Sequence, residues 1–249
     1  MSSSMFHVEP SELAPLTAGE WFTLRGDEGF HAATVQRLQP GESVMLADGL
    51  GRLAHGTVVE VPAKDQLVVS IVAITEAPPP SPRLIVVQAI PKGERGELAV
   101  EMLTEVGVDV IVPWAASRCV AVWKGDKIEK GVEKWKATAR ESAKLARRPR
   151  TPQLSALAST DDVVRLIRNT SPAWVLHEEG EARLSGKTMP MSGDIVLVVG
   201  PEGGVSPDEL ARFSEAGAEV VKLGPSVLRS STAGAVAAGI VLARTTRWA

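Results

Sequence analysis

The pattern of apolar and polar positions changes character once along the chain. Before residue 77, short apolar runs alternate with turn signals. Trp21-Phe22-Thr23-Leu24, Ser43-Val44-Met45-Leu46-Ala47, Gly56-Thr57-Val58-Val59-Glu60-Val61 and Leu67-Val68-Val69-Ser70-Ile71-Val72 have the length and the β-branched content of strands. Gln39-Pro40-Gly41-Glu42 and Asp48-Gly49-Leu50-Gly51 fall between them as turns. His31 to Leu38 predicts a short helix. Short strands joined this tightly predict a small β-barrel over residues 1–76.

Ala77-Pro78-Pro79-Pro80-Ser81-Pro82 then breaks the pattern. Proline fixes φ and lacks an N–H, so the stretch can continue neither a helix nor an inner strand, and 77–82 reads as a stiff connector. From 83 to 249, strands alternate with helices. Arg83 to Ala89, Asp109 to Val112, Ala173 to His177, Asp194 to Val199 and Glu219 to Leu223 are apolar runs, several without polar alternation, as parallel strands covered on both faces require. Helices are predicted over 94–106, with Leu98, Met102 and Glu105 in one row, and over 127–148, with Ile128, Val132, Trp135, Ala139 and Ala143 on one stripe. Ser206-Pro207-Asp208-Glu209 reads as a capped helix start and Gly217 as its stop. Thr232 to Arg244 is a last helix, rich in alanine and glycine. The second region is therefore an α/β domain with a mostly parallel sheet.

Two loops in that domain point to a ligand. The strand Val196-Leu197-Val198-Val199 runs into Gly200-Pro201-Glu202-Gly203-Gly204, and Val220-Val221-Lys222-Leu223 runs into Gly224-Pro225 ahead of the last helix. Ligands of open α/β sheets bind beyond the carboxyl ends of strands, where glycine lets the main chain approach closely. Either loop alone is an ordinary structural turn; their pairing on consecutive strands predicts a small-molecule site. No GxGxxG, GxxxxGK[ST] or GxSxG sequence accompanies them, so dinucleotide enzymes, P-loop NTPases and α/β-hydrolases have no support.

Composition narrows the setting. The 44% hydrophobic and 23% charged residues are ordinary for a globular protein. A single cysteine, Cys119, and four scattered histidines argue against disulfides and predict no metal. Met1-Ser2-Ser3-Ser4-Met5 lacks the features of a signal peptide, and no apolar run reaches the ~20 residues that span a bilayer, so a cytoplasmic location and no membrane partner are expected. Charge is uneven. Residues 1–77 hold four basic and ten acidic side chains, a net of −6, whereas 118–150 hold eleven basic and four acidic ones, a net of +7. The second stretch would attract a nucleic acid, although a basic helix face can equally be a solvated one.

Val198-Val199-Gly200-Pro201-Glu202-Gly203-Gly204-Val205-Ser206-Pro207-Asp208-Glu209-Leu210 closely resembles the signature of the RsmE family of bacterial methyltransferases, which modify N3 of a uridine in 16S ribosomal RNA. Leu223-Gly224-Pro225-Ser226-Val227-Leu228-Arg229-Ser230-Ser231-Thr232-Ala233 resembles its second motif. Pro91-Lys92-Gly93-Glu94-Arg95-Gly96-Glu97, Thr104-Glu105-Val106-Gly107 and Ser117-Arg118-Cys119 are similar to further family segments. His31 to Glu42 with Asp48-Gly49-Leu50-Gly51 is similar to the family's N-terminal PUA-like barrel. Two positions depart from the pattern: Ser230-Ser231 stands where many members carry a glutamate, and the glutamine common near Lys144-Leu145 is missing.

The resemblance implies a SPOUT-type parallel sheet with a C-terminal trefoil knot, preceded by a PUA-like β-barrel, and a homodimer acting on 16S rRNA of the small ribosomal subunit. It implies S-adenosylmethionine as cofactor, held around Val199, Gly200, Pro201, Glu202, Gly203 and Gly204, by Leu223, Gly224, Val227, Leu228, Arg229 and Thr232, with Leu176 and His177 as a third wall. Uridine N3 carries a proton, so its methylation needs a base or a cation that favours the anion. Arg229 is the catalytic candidate, as a cation beside a uracil oxygen; pairing with a helix end or a phosphate is its other reading. Glu202 is expected to bond loop amides rather than act as a base, and His177 to be a wall residue rather than a proton shuttle. Lys92, Arg95, Arg118, Arg140, Arg147 and Arg148 are the expected RNA-binding surface. The six tryptophans offer stacking faces, but most, such as Trp135, are expected in the core. Another SPOUT target, such as a ribose 2′-hydroxyl, and a non-catalytic RNA-binding role both stay open.

Overall fold

The structure is a computed structural model in which residues 3–248 are described. The first two residues of the N-terminal segment and Ala249 lie outside the described residues. Two compact units emerge. One comprises residues 1–79 with 143–151, the other residues 80–142 with 152–249.

In the first unit, β1 (Ser4–His7), α1 (Pro10–Leu13), β2 (Trp21–Leu24) and α2 (Gly26–Phe30) precede β3 (Ser43–Ala47), β4 (Arg52–Ala63) and β5 (Gln66–Glu76). The five strands form a sheet of order β1-β3-β4-β5-β2, antiparallel except for the β1–β3 pair. Phe6, Leu46, Leu67, Val69 and Ile71 fill its core. β4 and β5 outrun their apolar centres because alternation continues into polar residues, and register shifts at His55/Gly56 and Val58/Glu60 bend β4. The helix expected over His31 to Leu38 starts earlier, at Gly26, and continues as a π-turn over His31–Val35, with the Gln36 N–H donating to His31 O five residues back at 2.8 Å. Arg37, at φ 56°, lies just beyond it.

Residues 143–151 are a basic strap on this unit. The Arg150 guanidinium donates to Ala77 O at 2.8 Å and to Pro78 O at 3.3 Å. Lys144 pairs with Glu28 at 2.9 Å, both side chains largely buried. Gly51 N–H reaches Pro149 O, and Thr151 N–H reaches Gly49 O.

The second unit runs β6 (Arg83–Ala89), α3 (Arg95–Val106), β7 (Val110–Trp114), α4 (Asp126–Leu145, whose last turn belongs to the strap), β8 (Gln153–Leu154), α5 (Thr160–Arg168), β9 (Ala173–Leu176), β10 (Ala182–Arg183), β11 (Asp194–Val199), α6 (Pro207–Glu215), β12 (Glu219–Lys222) and α7 (Ser230–Leu242). Its sheet has the order β10-β12-β9-β11-β6-β7-β8, parallel throughout. Alternate residues of β11 enter two cores: Ile195, Leu197 and Val199 lie with Leu103, Trp135 and Val241, while Val196 and Val198 lie with Trp114, Val163 and Phe213. Both faces are covered, which is why the strand reads as an unbroken apolar run.

Three helices differ from expectation. The buried face of α3 is Gly96, Ala99, Val100 and Leu103, and the expected row is off by one position, leaving Leu98 and Glu105 exposed. Small residues win that face because neighbours pack closely; a Cβ on Gly96 would stand 2.9 Å from the Trp135 ring nitrogen. On α4, Val132, Trp135, Ala139 and Ala143 are buried as expected, but Ile128 is exposed. α5 was not foreseen, although Ser159 and Asp162 form a reciprocal capping box at its start. Among the described residues, no helix is long and apolar enough to cross a membrane.

After α7 the chain is pinned by Arg247, which donates to both Asp109 carboxylate oxygens at 2.7 and 3.1 Å, to Pro82 O and to Gly107 O. Asp109 also accepts the Leu84 N–H at 2.9 Å, so one buried carboxylate ties the starts of β6 and β7 to the C-terminal segment. Removing the cation strands that carboxylate. Arg247→Ala is expected to lower the unfolding free energy by about 3 kcal/mol, read by urea denaturation; a loss under ~0.5 kcal/mol, the usual range for a surface change, would show the pair to be dispensable.

Candidate functional site

Four strands of the second unit end at one level. Val199 of β11 stands opposite Gln88 of β6 on one side and Leu176 of β9 on the other, and Leu176 stands opposite Val221 of β12. Because the strands are parallel, the segments that follow β9, β11 and β12 all rise from the same edge. Between them lies a cavity of about 300 Å³, adjoined by a smaller one of about 80 Å³ that shares the Leu176–Glu178 and Val227–Leu228 walls.

The expected cofactor residues gather here. Val199, Gly200, Pro201, Glu202, Gly204 and Arg229 line the larger cavity, and Leu223 and Gly224 the smaller. Leu176, His177, Val227 and Leu228 line both. Gly203 and Thr232 are not in either lining. Gly203 faces Arg118 instead, and Thr232 sits half-buried in the first turn of α7. The cavities also take in Lys222, Val205, Ser226, Ser230 and Ala233. Ser230 and Ala233 could have been found from the sequence, since the first turn of a helix that follows a glycine loop is part of such a site. Lys222 carried no signal beyond its place at a strand end.

Two glycines have separate reasons. Gly204 has φ 72° and closes a turn onto Pro201 O at 2.9 Å, a conformation that a side chain resists. Gly224 needs no special φ, and a Cβ built on it meets nothing within 4 Å. The protein itself has room for a side chain at Gly224, which lines the smaller cavity. The wall from β9 is fixed by main-chain bonding, with His177 N–H on Val221 O at 2.9 Å. His177 Nδ1 accepts the Glu179 N–H at 3.2 Å, which leaves Nε2 to carry the ring proton.

Polar groups brace the first loop, Gln88 and Ser230 from inside and charged side chains from the surface. The Gln88 amide donates to Ser230 Oγ at 3.0 Å, and the Ser230 hydroxyl donates to Gly200 O at 2.7 Å. Glu202 accepts the Lys92 N–H at 3.1 Å and faces the Arg95 guanidinium at 3.7 Å. Arg118 donates to Gly203 O at 3.3 Å. Lys92, Arg95 and Arg118 are therefore brought to the first loop, Arg95 already facing a carboxylate. Arg140 is exposed on α4, and Arg147 and Arg148 lie in the strap of the first unit. Arg229 is exposed and precedes the first residue of α7.

Glu209 was foreseen only as a helix-start residue, yet it is the most heavily bonded carboxylate near the loops. It is 2% exposed and accepts from Ser117 N and Oγ, Ser206 N and Oγ, and Thr160 Oγ1, all at 2.8–3.2 Å. Burial pushes its carboxyl up, but the hydrogen bonds from Ser117 and Ser206 outweigh burial and hold it below the usual carboxylate range. A folded-state value below the unfolded one adds stability above the unfolded range and loses it as pH falls through the folded value. Glu209→Gln turns an NH₂ group toward these donors and is expected to cost about 1–3 kcal/mol at pH 7. In urea denaturation the gap to the unmodified protein should narrow on acidification; a gap that widens would contradict this account.

Comparison with known proteins agrees with this geometry. The model of an RNA methyltransferase domain matches residues 78–242, and that of an RNA methyltransferase PUA domain matches residues 24–72. The ribosomal RNA small subunit methyltransferase E of Mycobacterium tuberculosis is 48% identical over 227 residues, covering 90% of this chain and 86% of its own. The Bacillus subtilis protein of the same name is 26% identical over 85% of this chain and 86% of its own. Among solved structures, a methyltransferase from Legionella pneumophila in complex with the bound cofactor SAM superposes with a TM-score of 0.83 at 26% identity, covering 98% of this chain and 99% of that one. A ribosomal RNA small subunit methyltransferase E from Neisseria gonorrhoeae, bound to S-adenosyl methionine, has the same fold, with a TM-score of 0.83 at 23% identity over 97% of this chain and 98% of that one. With a methyltransferase domain over most of its length, a PUA domain before it and a 48% identical relative aligned almost end to end, the chain belongs to the RsmE family of ribosomal RNA small subunit methyltransferases.

Proposed function

We propose that the protein transfers a methyl group from S-adenosylmethionine to N3 of a specific uridine in 16S ribosomal RNA, in the cytoplasm. The observation that carries the reading is the cavity at the four in-register strand ends, where Gly224 leaves space that no protein atom claims. The space suits a flat ligand edge against main chain, and the loops around it offer backbone groups together with polar side chains such as Glu202, Ser226 and Ser230. Residues 1–76 then serve as an accessory RNA-binding domain, 77–82 as the connector and 83–249 as the methyltransferase domain.

When bound, the cofactor supplies an electrophilic methyl on a sulfonium, and the chemistry requires no metal. The chain's own task is alignment and charge. Val199, Gly200, Pro201, Glu202, Gly204, Leu223, Gly224, Val227 and Leu228, with Leu176 and His177, hold the cofactor, and Gly203 and Thr232, outside the lining, shape the loop and the first helical turn. Arg229 faces the uracil ring and stabilises the charge on its oxygens once N3 has given its proton to solvent. Its guanidinium stays charged and so does not take that proton. The start of α7, the positive end of the helix dipole, adds to the effect. Lys92, Arg95 and Arg118 beside the first loop, with Arg140, Arg147 and Arg148, supply contacts to RNA phosphates.

Two features of the family are part of the proposal. A trefoil knot is supported by the return of the chain after β12 to Gly200 and Gln88 through Ser230. A homodimer is supported by apolar side chains left uncovered in the second unit, Val227 in the cavity wall at 76% exposed, Leu98 on α3 and Val236 on α7.

Titration calorimetry tests the site. Gly224→Ala should raise the Kd for S-adenosylmethionine about ten-fold or more without lowering the melting temperature. Arg229→Ala should leave that Kd within about two-fold and slow methyl transfer about a hundred-fold. No cofactor binding by the unmodified protein would remove the enzymatic reading. The target is tested by nucleoside mass spectrometry of 16S rRNA from a deletion strain, which should lack one 3-methyluridine. Intact 3-methyluridine with loss of a ribose-methylated nucleoside would overturn the assignment.

A further inference from the structure

Gln88 is an unexpected residue for its position. It lies near the end of a central strand and is fully buried, and its Oε1 borders, with Leu103 and Val199, the space that a Cβ on Gly234 would enter. Its amide nitrogen donates to Ala89 O at 3.1 Å and to Ser230 Oγ at 3.0 Å, while its Oε1 has no hydrogen-bond partner among the described residues. An unpaired acceptor in an apolar shell is a cost that methionine or leucine would not incur, so fold stability alone does not call for an amide there. What the amide does accomplish is to orient one hydroxyl. With its lone pair facing the Gln88 donor, the Ser230 O–H is directed at Gly200 O, 2.7 Å away.

That hydroxyl sits at a junction. Gly200 opens the loop after β11, and Ser230 follows Arg229 at the end of the segment after β12. β9 separates these two strands in the sheet, so no ladder bond joins them directly. The relay from Gln88 through Ser230 to Gly200 spans that gap and refers both loops to β6, the strand on the far side of β11. Ser230 also lines the larger cavity.

We infer that Gln88 and Ser230 are positioning residues: their relay sets the separation of the two cofactor loops, and with it the place of Arg229 over the bound methyl donor. The inference rests on the proposed S-adenosylmethionine site. Neither residue takes part in the methyl transfer itself, because Gln88 is sealed from the cavity and Ser230 spends its proton on Gly200.

A double-mutant cycle on cofactor affinity decides it. Ser230→Ala and Gln88→Met, measured by calorimetry on the full chain, should each raise the Kd for S-adenosylmethionine about ten-fold. The double variant should be no weaker than either single one, because both changes break the same relay. Ser230→Thr, which keeps the hydroxyl, should restore affinity to within about two-fold. Melting temperatures of the singles should stay near that of the unmodified protein, with Gln88→Met level or higher because the orphan acceptor is gone. Single variants that bind like the unmodified protein, or losses that multiply in the double variant, would overturn the relay while leaving the cofactor site standing. Failure of the unmodified protein to bind would instead remove the site reading on which the relay rests. If Gln88→Met does not fold, the contrast between Ser230→Ala and Ser230→Thr still decides.

Discussion

Everything at the site depends on four parallel strands stopping at the same level. A parallel strand covered on both faces is committed to apolar side chains, so past their first residues β9 and β11 offer no polar side chain before they end, and β6 and β12 hold theirs, Gln88 and Lys222, close to that end. Their register then puts Gln88, Val199, Leu176 and Val221 in one row, and just beyond that row the chain leaves the sheet for the segments that line the cavity. The cavity is a consequence of that row. Alternating burial into two cores fixes the register, since a slip of one residue would exchange the contents of the cores.

Loops that rise from such an edge have exposed backbone and little hydrophobic anchorage, and this protein fastens them with polar side chains, some buried and some at the surface. Glu209 gathers Ser117, Ser206 and Thr160 from three separate segments, and Glu202 reaches the Lys92 amide. Arg118, next to Ser117, closes on Gly203 O. Glu209 makes its bonds in a low-dielectric place, where a satisfied hydrogen bond is strong and an unsatisfied one is costly, while Glu202 and Arg118 make theirs at the exposed rim. The first loop is thereby pre-shaped before any ligand arrives, and Gly204 supplies the left-handed turn that the shape needs.

The basic stretch 118–150 divides its work. Lys144 and Arg150 are committed within the first unit, one to Glu28 and one to the carbonyls of Ala77 and Pro78. Arg118 is committed to the first loop. A net charge of +7 counted along the sequence is therefore larger than the charge these residues can offer to an outside phosphate. The excess still favours an anionic partner, because hydrogen bonds to carbonyls leave the cations' field in place.

The sequence by itself determined the α/β class with a mostly parallel sheet, and which strand ends carry the two glycine-bearing loops. Unbroken apolar runs such as Asp194 to Val199 mark doubly covered strands, and glycine and proline directly after two of them mark where the chain leaves the sheet. Those signals are local: periodicity over a few residues and turn chemistry at fixed offsets. They missed β1, β8 and β10, which are short and exist through their partners, and they misjudged α3, whose buried face is made of small residues that carry little hydropathy. Only the tertiary structure decided that Gln88 meets Ser230 across 142 positions, that Glu209 joins three segments, and that Lys144 belongs to Glu28. A buried hydrogen bond leaves no trace in either partner's local pattern, because its energy depends on which distant groups the fold brings together and how completely it removes water from between them.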